Sequence, residues 1–264
     1  MKNNRIILTG ASEGIGRALA IELATRGARL ALAARDRSRL ESLAHECRAR
    51  GGEALAVAMD VTNPQDCERL VNETVAVFGG IDVVVHNAGI TMWSRFDALE
   101  DLGIFQRLMD VNYHAPVRLT SLALPHLKKS RGLLVAVASL AGLTGVPERS
   151  GYAASKHALI GFFESLRIEL TGSGVGVSVI APDFVVSEIH KRAIGADGKP
   201  LGASPMMQSK IMTAGQCAAR IARAIERRER LVLMSARGKL GRWLKLLAPS
   251  FIDRIADRAI RQRH

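Results

Sequence analysis

Arg5-Ile6-Ile7-Leu8-Thr9-Gly10-Ala11-Ser12-Glu13-Gly14-Ile15-Gly16 is the stretch on which the fold turns. Arg5 to Thr9 is a short apolar, β-rich run, and from Ile15 to Arg26 the apolar spacing becomes helical. The three glycines lie between them. Glycine permits a tight turn and a close backbone approach, while the start of the next helix offers free N–H groups and the positive end of a dipole. A strand that passes through such a turn into a helix is suited to holding a pyrophosphate. An ordinary strand-to-helix turn has the same outline; the strand before and the amphipathic helix after favour the nucleotide.

Outward from this unit the pattern repeats. Further strands are expected at Arg29–Ala34, Ala54–Ala58, Ile81–His86, Leu133–Ala138, Val175–Ala181 and Leu231–Met234. Helices are expected at Arg37–Arg50, Pro64–Phe78, Leu99–Lys128, Tyr152–Leu170 and Ala214–Arg228. Several strands are apolar almost throughout, as parallel strands covered on both faces are. The alternation implies an α/β, Rossmann-type doubly wound architecture: a seven-stranded parallel sheet with helices on both faces. Asp36 stands where an N-cap would start the second helix, Pro64 lies in the first turn of the third, and Gly27, Gly51 and Gly79 follow helical runs as C-caps do. We expect one domain over residues 1–264, with a substrate loop at 184–212 and a basic, amphipathic helical extension at 235–264.

Length and composition agree. The 264 residues are 48% hydrophobic and 23% charged, which excludes a disordered or collagen-like chain. Cys47, Cys67 and Cys217 form no CxxC pair, so a reducing, cytoplasmic setting is expected. The seven histidines show no ligand spacing, and no metal site is assigned. The run Ile6–Leu8 is too short for the apolar part of a signal peptide, and no uninterrupted apolar stretch has the length of a membrane span. The net charge of +12 is concentrated at one end, with eleven basic and three acidic residues from Arg227 onward. Binding of a specific nucleic acid by the whole chain is therefore not expected; strong salt-dependent DNA affinity carried by the tail would revive it.

In a sheet of this kind the end of the second strand meets the adenosine ribose about 20 residues after the glycine turn. The sequence there is Ala33-Ala34-Arg35-Asp36. Ala34 occupies the place of a ribose-binding acid, and Arg35 beside it can pair with a 2′-phosphate through two parallel hydrogen bonds. NADP(H) is expected over NAD(H). A shift of one residue would bring Asp36 to the ribose instead, although Asp36 is more simply a helix cap.

Seven elements in order resemble the short-chain dehydrogenase/reductase family over nearly the whole chain, Arg5 to about Met234. They are Thr9 to Gly16, the pair Asp60-Val61, Asn87-Ala88-Gly89, Asn112, Ser139, Tyr152-Ala153-Ala154-Ser155-Lys156, and Pro182. The resemblance implies an oxidoreductase acting on a carbonyl/hydroxyl pair, with Asn112, Ser139, Tyr152 and Lys156 catalytic. It implies cofactor contacts from Gly10, Ser12, Glu13, Gly14, Ile15, Gly16, Arg35, Asp60, Val61, Asn87, Ala88, Gly89, Tyr152, Lys156, Pro182, Val185 and Ser187. It also implies a homodimer or homotetramer paired through the helices that hold Asn112 and Tyr152.

Part of this chemistry follows from spacing. Tyr152 and Lys156, four apart, share one helix face. A phenol titrates at about 10 and is a poor base at neutral pH, but an adjacent ammonium favours the phenolate, which makes a workable proton donor and acceptor. By resemblance the tyrosine protonates the substrate oxygen, the lysine holds the nicotinamide ribose, the serine hydrogen-bonds the substrate, and Asn112 belongs to a water relay. Each has a plainer reading as a surface-helix, turn or capping residue. Two departures stand out: His86 where the family more often has Asn, and Asp183 where it usually has Gly, which is expected to reshape the nicotinamide-side loop.

The substrate is expected to be hydrophobic, such as a steroid, retinoid or acyl ketone, because Trp93, Leu140 and Phe184 with Met92, Leu143, Val185, Ile189, Ile194, Met206, Met207, Ile211 and Met212 offer an apolar lining. Lid packing explains the same residues equally well. In the tail, Leu240, Trp243, Leu244 and Leu247 share a helical face opposite Lys239, Arg242 and Lys245. That face suits peripheral contact with an anionic membrane; cover over the substrate mouth, core packing or packing on a neighbouring subunit is the somewhat better reading. A non-catalytic nucleotide-sensing or scaffold protein is the alternative to an enzyme; the intact Ser139, Tyr152 and Lys156 argue against it.

Overall fold

The computed structural model describes residues 1–186, 188–203 and 211–261, the side chains at 237, 242, 256 and 258–261 excepted. Seven strands form one sheet: β1 (Arg5–Thr9), β2 (Arg29–Ala34), β3 (Glu53–Ala58), β4 (Val83–His86), β5 (Leu133–Val137), β6 (Gly176–Ala181) and β7 (Leu231–Leu233). Their order is β3-β2-β1-β4-β5-β6-β7, and every pairing is parallel. The chain reverses its direction of build between β1 and β4, and the crevice beyond the carboxyl ends of these two strands is where such sheets bind ligands.

Helices α1 (Gly14–Ala24), α2 (Arg37–Ala49), α3 (Pro64–Phe78), α4 (Gly103–Met109), α5 (Ala115–Ser130), α6 (Ser150–Glu169) and α7 (Ala214–Arg227) connect and cover the strands. Two cores result, one on each face. Ile6, Leu8, Leu30, Leu32 and Val85 pack with α1, α2 and α7; Ile7, Val84, Leu134 and Val179 pack with α3, α5 and α6. Alternate residues of one strand thus feed opposite cores, and this is why the strands read as continuous apolar runs. The caps are as expected: Asp36 accepts from Arg39 N at 3.0 Å, and Pro64 opens α3 behind the N-cap Asn63.

The single helix expected over Leu99–Lys128 is instead three segments. After a 3₁₀ turn at Phe96–Ala98, outside that range, they are α4, a π-helical turn at Asp110–His114 and α5. Helical periodicity runs on through a π turn, so the sequence pattern does not mark it; such turns gather at functional sites.

The tail forms α8 (Ala236–Leu247) and α9 (Pro249–Arg261), and most of the apolar face of α8 is not covered by the body of the same chain. A β-carbon on Gly238 would lie 2.6 Å from the Leu140 side chain, so α8 meets the body through its glycine face. Leu240, Trp243 and Leu247 point outward, 61%, 67% and 81% exposed. Ser235 caps α8 and donates to Asp183 at 2.9 Å, and Lys245 donates to Leu143 O at 2.9 Å. No helix among the described residues is long and apolar enough to cross a membrane.

Candidate active site

A cavity of about 850 Å³ opens beyond the carboxyl ends of the strands. Its floor begins at the glycine turn. Gly10 has φ +64°, and a β-carbon there would meet Ala88 Cα at 2.8 Å; one on Gly16 would stand 2.0 Å from the Gly10 carbonyl oxygen. Only glycine fits either place. Asn87 locks the turn from β4, its Nδ2 donating to Thr9 O and Gly10 O at 3.0 and 3.1 Å. Thr9 Oγ1 accepts from Asn87 N and Ala88 N at 3.0 and 3.1 Å. The backbone of the turn is held rigid, with α1 starting at Gly14 behind it. This cradle fits a dinucleotide's pyrophosphate.

Ser12, Glu13, Gly14, Ile15, Arg35, Asp60, Val61, Gly89, Pro182 and Val185 line the same cavity, as do Trp93, Leu140 and Phe184. Ser187, Met206 and Met207 lie outside the described residues. Asp36 spends its carboxylate on capping α2 and on Arg39 Nε at 3.1 Å. Arg35 is exposed at the cavity rim. Glu13 binds Arg39 at 3.0 Å and also pairs with Arg192 of the loop after β6, tying that loop to the glycine turn. Asp60 makes a local turn, its Oδ1 accepting from Thr62 N and Oγ1.

The reactive set is contributed by the chain just after β5, the π turn and α6. Ser139 stands two residues beyond β5 in extended backbone, and its Oγ accepts from Ala141 N at 3.2 Å. Tyr152 and Lys156 lie on the inward face of α6, 7% and 4% exposed. Lys156 Nζ donates to Val137 O at 3.0 Å and stands 5.8 Å from the Tyr152 ring centre. Burial draws the Lys156 ammonium below the ordinary lysine range, Tyr152 opposing the fall and Arg149 adding to it. Asn112 is fully buried in the π turn; it accepts from Ile90 N and donates to Ile90 O and Ser155 Oγ, each at 2.9 Å. A β-carbon on Gly89 would lie 3.1 Å from Asn112 Oδ1 and 3.6 Å from Lys156 Nζ, so Gly89 sits between these two groups.

The two departures have structural accounts. His86 is a core residue, bonded to Thr120 Oγ1 at 3.0 Å and pushed down to about 3 by burial. Asp183 is not in the left-handed region that would require glycine. Its carboxylate accepts from Phe184 N and from Ser235 Oγ, joining the loop after β6 to α8.

Some of the apolar lining differs from expectation. Met92 is fully buried, packed with Ile104, Leu108 and Tyr152 in a small separate core, against which Ile194 is also packed. Met212 packs on the opposite core. Sequence reasoning missed the segment Thr144–Arg149 and the residues Glu188, His190 and Arg192, all of which line the cavity; Gly238, Gly241, Ile252 and Ile255 of the tail line it too, as the reading of the tail as a cover over the substrate mouth allows. The loop after β6 is pinned to the chain after β4 by Ile194 N to Thr91 O and Trp93 N to Ile194 O, both 2.9 Å. That pairing, with the Glu13–Arg192 ion pair, holds this loop over the site.

Reactive groups gathered beyond the carboxyl edge of a doubly wound parallel sheet define an α/β enzyme. A family model described as short chain dehydrogenase matches residues 4–196. The chain belongs to this family of oxidoreductases. Among curated relatives, 11-beta-hydroxysteroid dehydrogenase 1A of Arabidopsis thaliana is 37% identical over 255 residues, 94% of this chain and 73% of that protein. A dehydrogenase/reductase SDR family protein 7-like of Dictyostelium discoideum is 33% identical, over 96% of this chain and 80% of its own length. Among solved structures, a short chain dehydrogenase/reductase of Burkholderia phymatum in complex with NAD is 25% identical with a TM-score of 0.84, covering 95% of both chains. An alcohol dehydrogenase of Thermococcus sibiricus complexed with 5-hydroxy-NADP is 27% identical with a TM-score of 0.76, covering 88% of this chain and 94% of that one.

Proposed function

We propose that this chain is an NADP(H)-dependent oxidoreductase interconverting a carbonyl and a hydroxyl on a substrate with a hydrophobic body, working as a reductase where NADPH is abundant. The carrying observation is that Ser139, Tyr152 and Lys156 line one cavity with the glycine turn. A bound nicotinamide supplies or accepts the hydride. In reduction the Tyr152 hydroxyl gives its proton to the substrate oxygen, and the Ser139 hydroxyl donates a hydrogen bond to that oxygen. Lys156 brings a buried cation to the tyrosine's side of the site and is the group to hold the nicotinamide ribose. Asn112, fixed by its three hydrogen bonds, keeps the chain after β4 in place beside it.

Preference for NADP(H) is supported by Arg35 at the rim, with Arg39 and Arg192 nearby, and by the commitment of Asp36 to its cap. A guanidinium binds a phosphate in two-pronged fashion, and no carboxylate remains at Ala34 to accept a ribose hydroxyl. The hydrophobic substrate is supported by Trp93, Leu140, Leu143 and Phe184 and by the names of the plant relatives. Peripheral contact with an anionic membrane is supported by the outward apolar face of α8. The test is NADPH consumption across ketones graded by size and polarity. Tyr152→Phe should lower turnover by about 10²- to 10⁴-fold while NADPH binding is kept. Undiminished turnover would overturn the assignment.

A further inference from the structure

Arg149 precedes α6 at its N-cap position and is 5% exposed. Nη2 donates to Thr91 Oγ1 at 2.7 Å; Nε is buried with no partner. Among the described residues it has no carboxylate partner. Arg167 also buries one unpartnered nitrogen but donates to the carbonyls of Val177 and Arg230, and the buried Arg29 Nε stands 3.0 Å from a Glu53 carboxylate oxygen. Arg149 alone of the three lines the cavity.

Its surroundings offer this cation aromatic ring faces but, among the described residues, no formal counter-charge. Burial pulls the guanidinium below its ordinary range. The positive end of α6 lies against it, and the first turn of that helix holds no acidic residue. The neighbouring carboxylate, Glu148, accepts from Trp93 Nε1 at 3.0 Å. Glu148 also stands in the left-handed region at φ +62°, a conformation that a side chain disfavours. That turn leads into Arg149, whose guanidinium carbon lies 4.4 Å from the Tyr152 ring centre, 5.3 Å from that of Trp93 and 5.8 Å from that of Phe184. His190, 6% exposed with Nδ1 unpartnered, completes the enclosure edge-on to Trp93.

A buried charge left without its counter-charge is costly, and backbone strain persists where surrounding structure enforces it, commonly at ligand sites. Here a cation met by ring faces and one hydroxyl but by no carboxylate, a helix N-terminus and a strained turn come together at the group assigned to proton transfer. We propose that Arg149 is a specificity residue that receives a carboxylate on the substrate beside the carbonyl served by Tyr152, with Trp93 and Phe184 flanking the apolar body. The substrate class is then an apolar oxo acid or its hydroxy acid. This rests on the oxidoreductase reading above.

The probes are benzoylformate and its methyl ester, which share a ketone and differ in charge, each reduced with NADPH by the full chain and by Arg149→Met and Arg149→Lys. Arg149→Met should lower kcat/KM for the acid by about 10- to 100-fold, chiefly through KM, and change the ester by less than about threefold. Arg149→Lys should recover part of the acid's rate. An equal fall for both substrates would make Arg149 a positioning residue for Tyr152 and overturn the proposal, as would no change in either. Independently, benzoate should bind the NADP⁺-loaded protein and alter its tryptophan fluorescence, and Arg149→Met should weaken that binding while leaving NADPH affinity unchanged. Absence of benzoate binding sinks the proposal. Failure of the wild type to oxidise NADPH with any ketone sinks the oxidoreductase reading instead. If Arg149→Met does not fold, the Lys variant carries the comparison.

Discussion

At the glycine-turn end of the cavity the polar groups answer one another; at the far end they do not. Thr9, Gly10 and Asn87 close a set of hydrogen bonds between β1 and β4, and of the charged groups around them Glu13 is paired with Arg39 and Asp36 is turned to the start of α2. Around Tyr152 the wall comes from the chain after β4, the turn before α6, the loop after β6 and the tail, and it buries an arginine and a histidine with unpartnered nitrogens. The first end recognises a group common to many ligands, for which backbone N–H donors and a close approach suffice. The second end must choose among substrates, and an unmet charge discriminates more strongly than an apolar wall does.

The sharpest way to break the first end is Gly16→Ala. Its β-carbon would stand 2.0 Å from the Gly10 carbonyl oxygen, backbone against backbone, with no flexible side chain to yield. Overpacking of this sort costs on the order of 1–3 kcal/mol or more. The glycine turn must move, and NADPH affinity should fall by more than about 100-fold with a lowered Tm, read by calorimetric titration and thermal melting. Wild-type affinity would mean that the turn does not form the binding surface.

A smaller effect tests what the first end selects. Charge-assisted hydrogen bonds are worth about 1.5–3 kcal/mol, so Arg35→Ala should raise the KM for NADPH by roughly 10- to 100-fold and leave that for NADH nearly unchanged. Equal effects on the two coenzymes would remove Arg35 from the phosphate site and reopen the assignment of Asp36.

The same contrast explains what could be read from the chain. The strands, the glycine turn and the Tyr152–Lys156 pair are local patterns, with a period of two or 3.6 residues or a turn of fixed chemistry, and each survives translation into structure. The π turn at Asn112 was hidden because apolar spacing barely notices one extra residue in a helix. Met92 was placed in the lining because a methionine after β4 looks like a pocket residue, whereas the pairing of Ile194 with Thr91 and Trp93 carries it into a separate core. Arg149 was passed over, since an arginine in a loop is ordinarily solvated. A cue did exist: a basic residue directly before a helix, with no acid in the first turn, runs against the dipole.

The tail was only partly legible, for a different reason. Apolar periodicity identifies the face to be covered without saying what covers it, and in α8 the body takes the glycines instead. Leu240, Trp243, Leu246, Leu247 and Phe251 are left exposed beside Lys239 and Arg254. Removing the tail would not test this face cleanly, because Gly238, Gly241, Ile252 and Ile255 also line the cavity. Point changes on the outer side separate the two roles. Burying a large apolar side chain contributes about 1.5–3 kcal/mol, and each basic group near an anionic surface about 1 kcal/mol. Trp243→Ser should therefore weaken co-sedimentation with phosphatidylserine vesicles by about tenfold, with further weakening as salt is raised, while kcat/KM stays within about twofold. Equal pelleting of wild type and variant would remove the membrane from the account of this face, and a fall in kcat/KM would show that it belongs to the far end of the cavity after all.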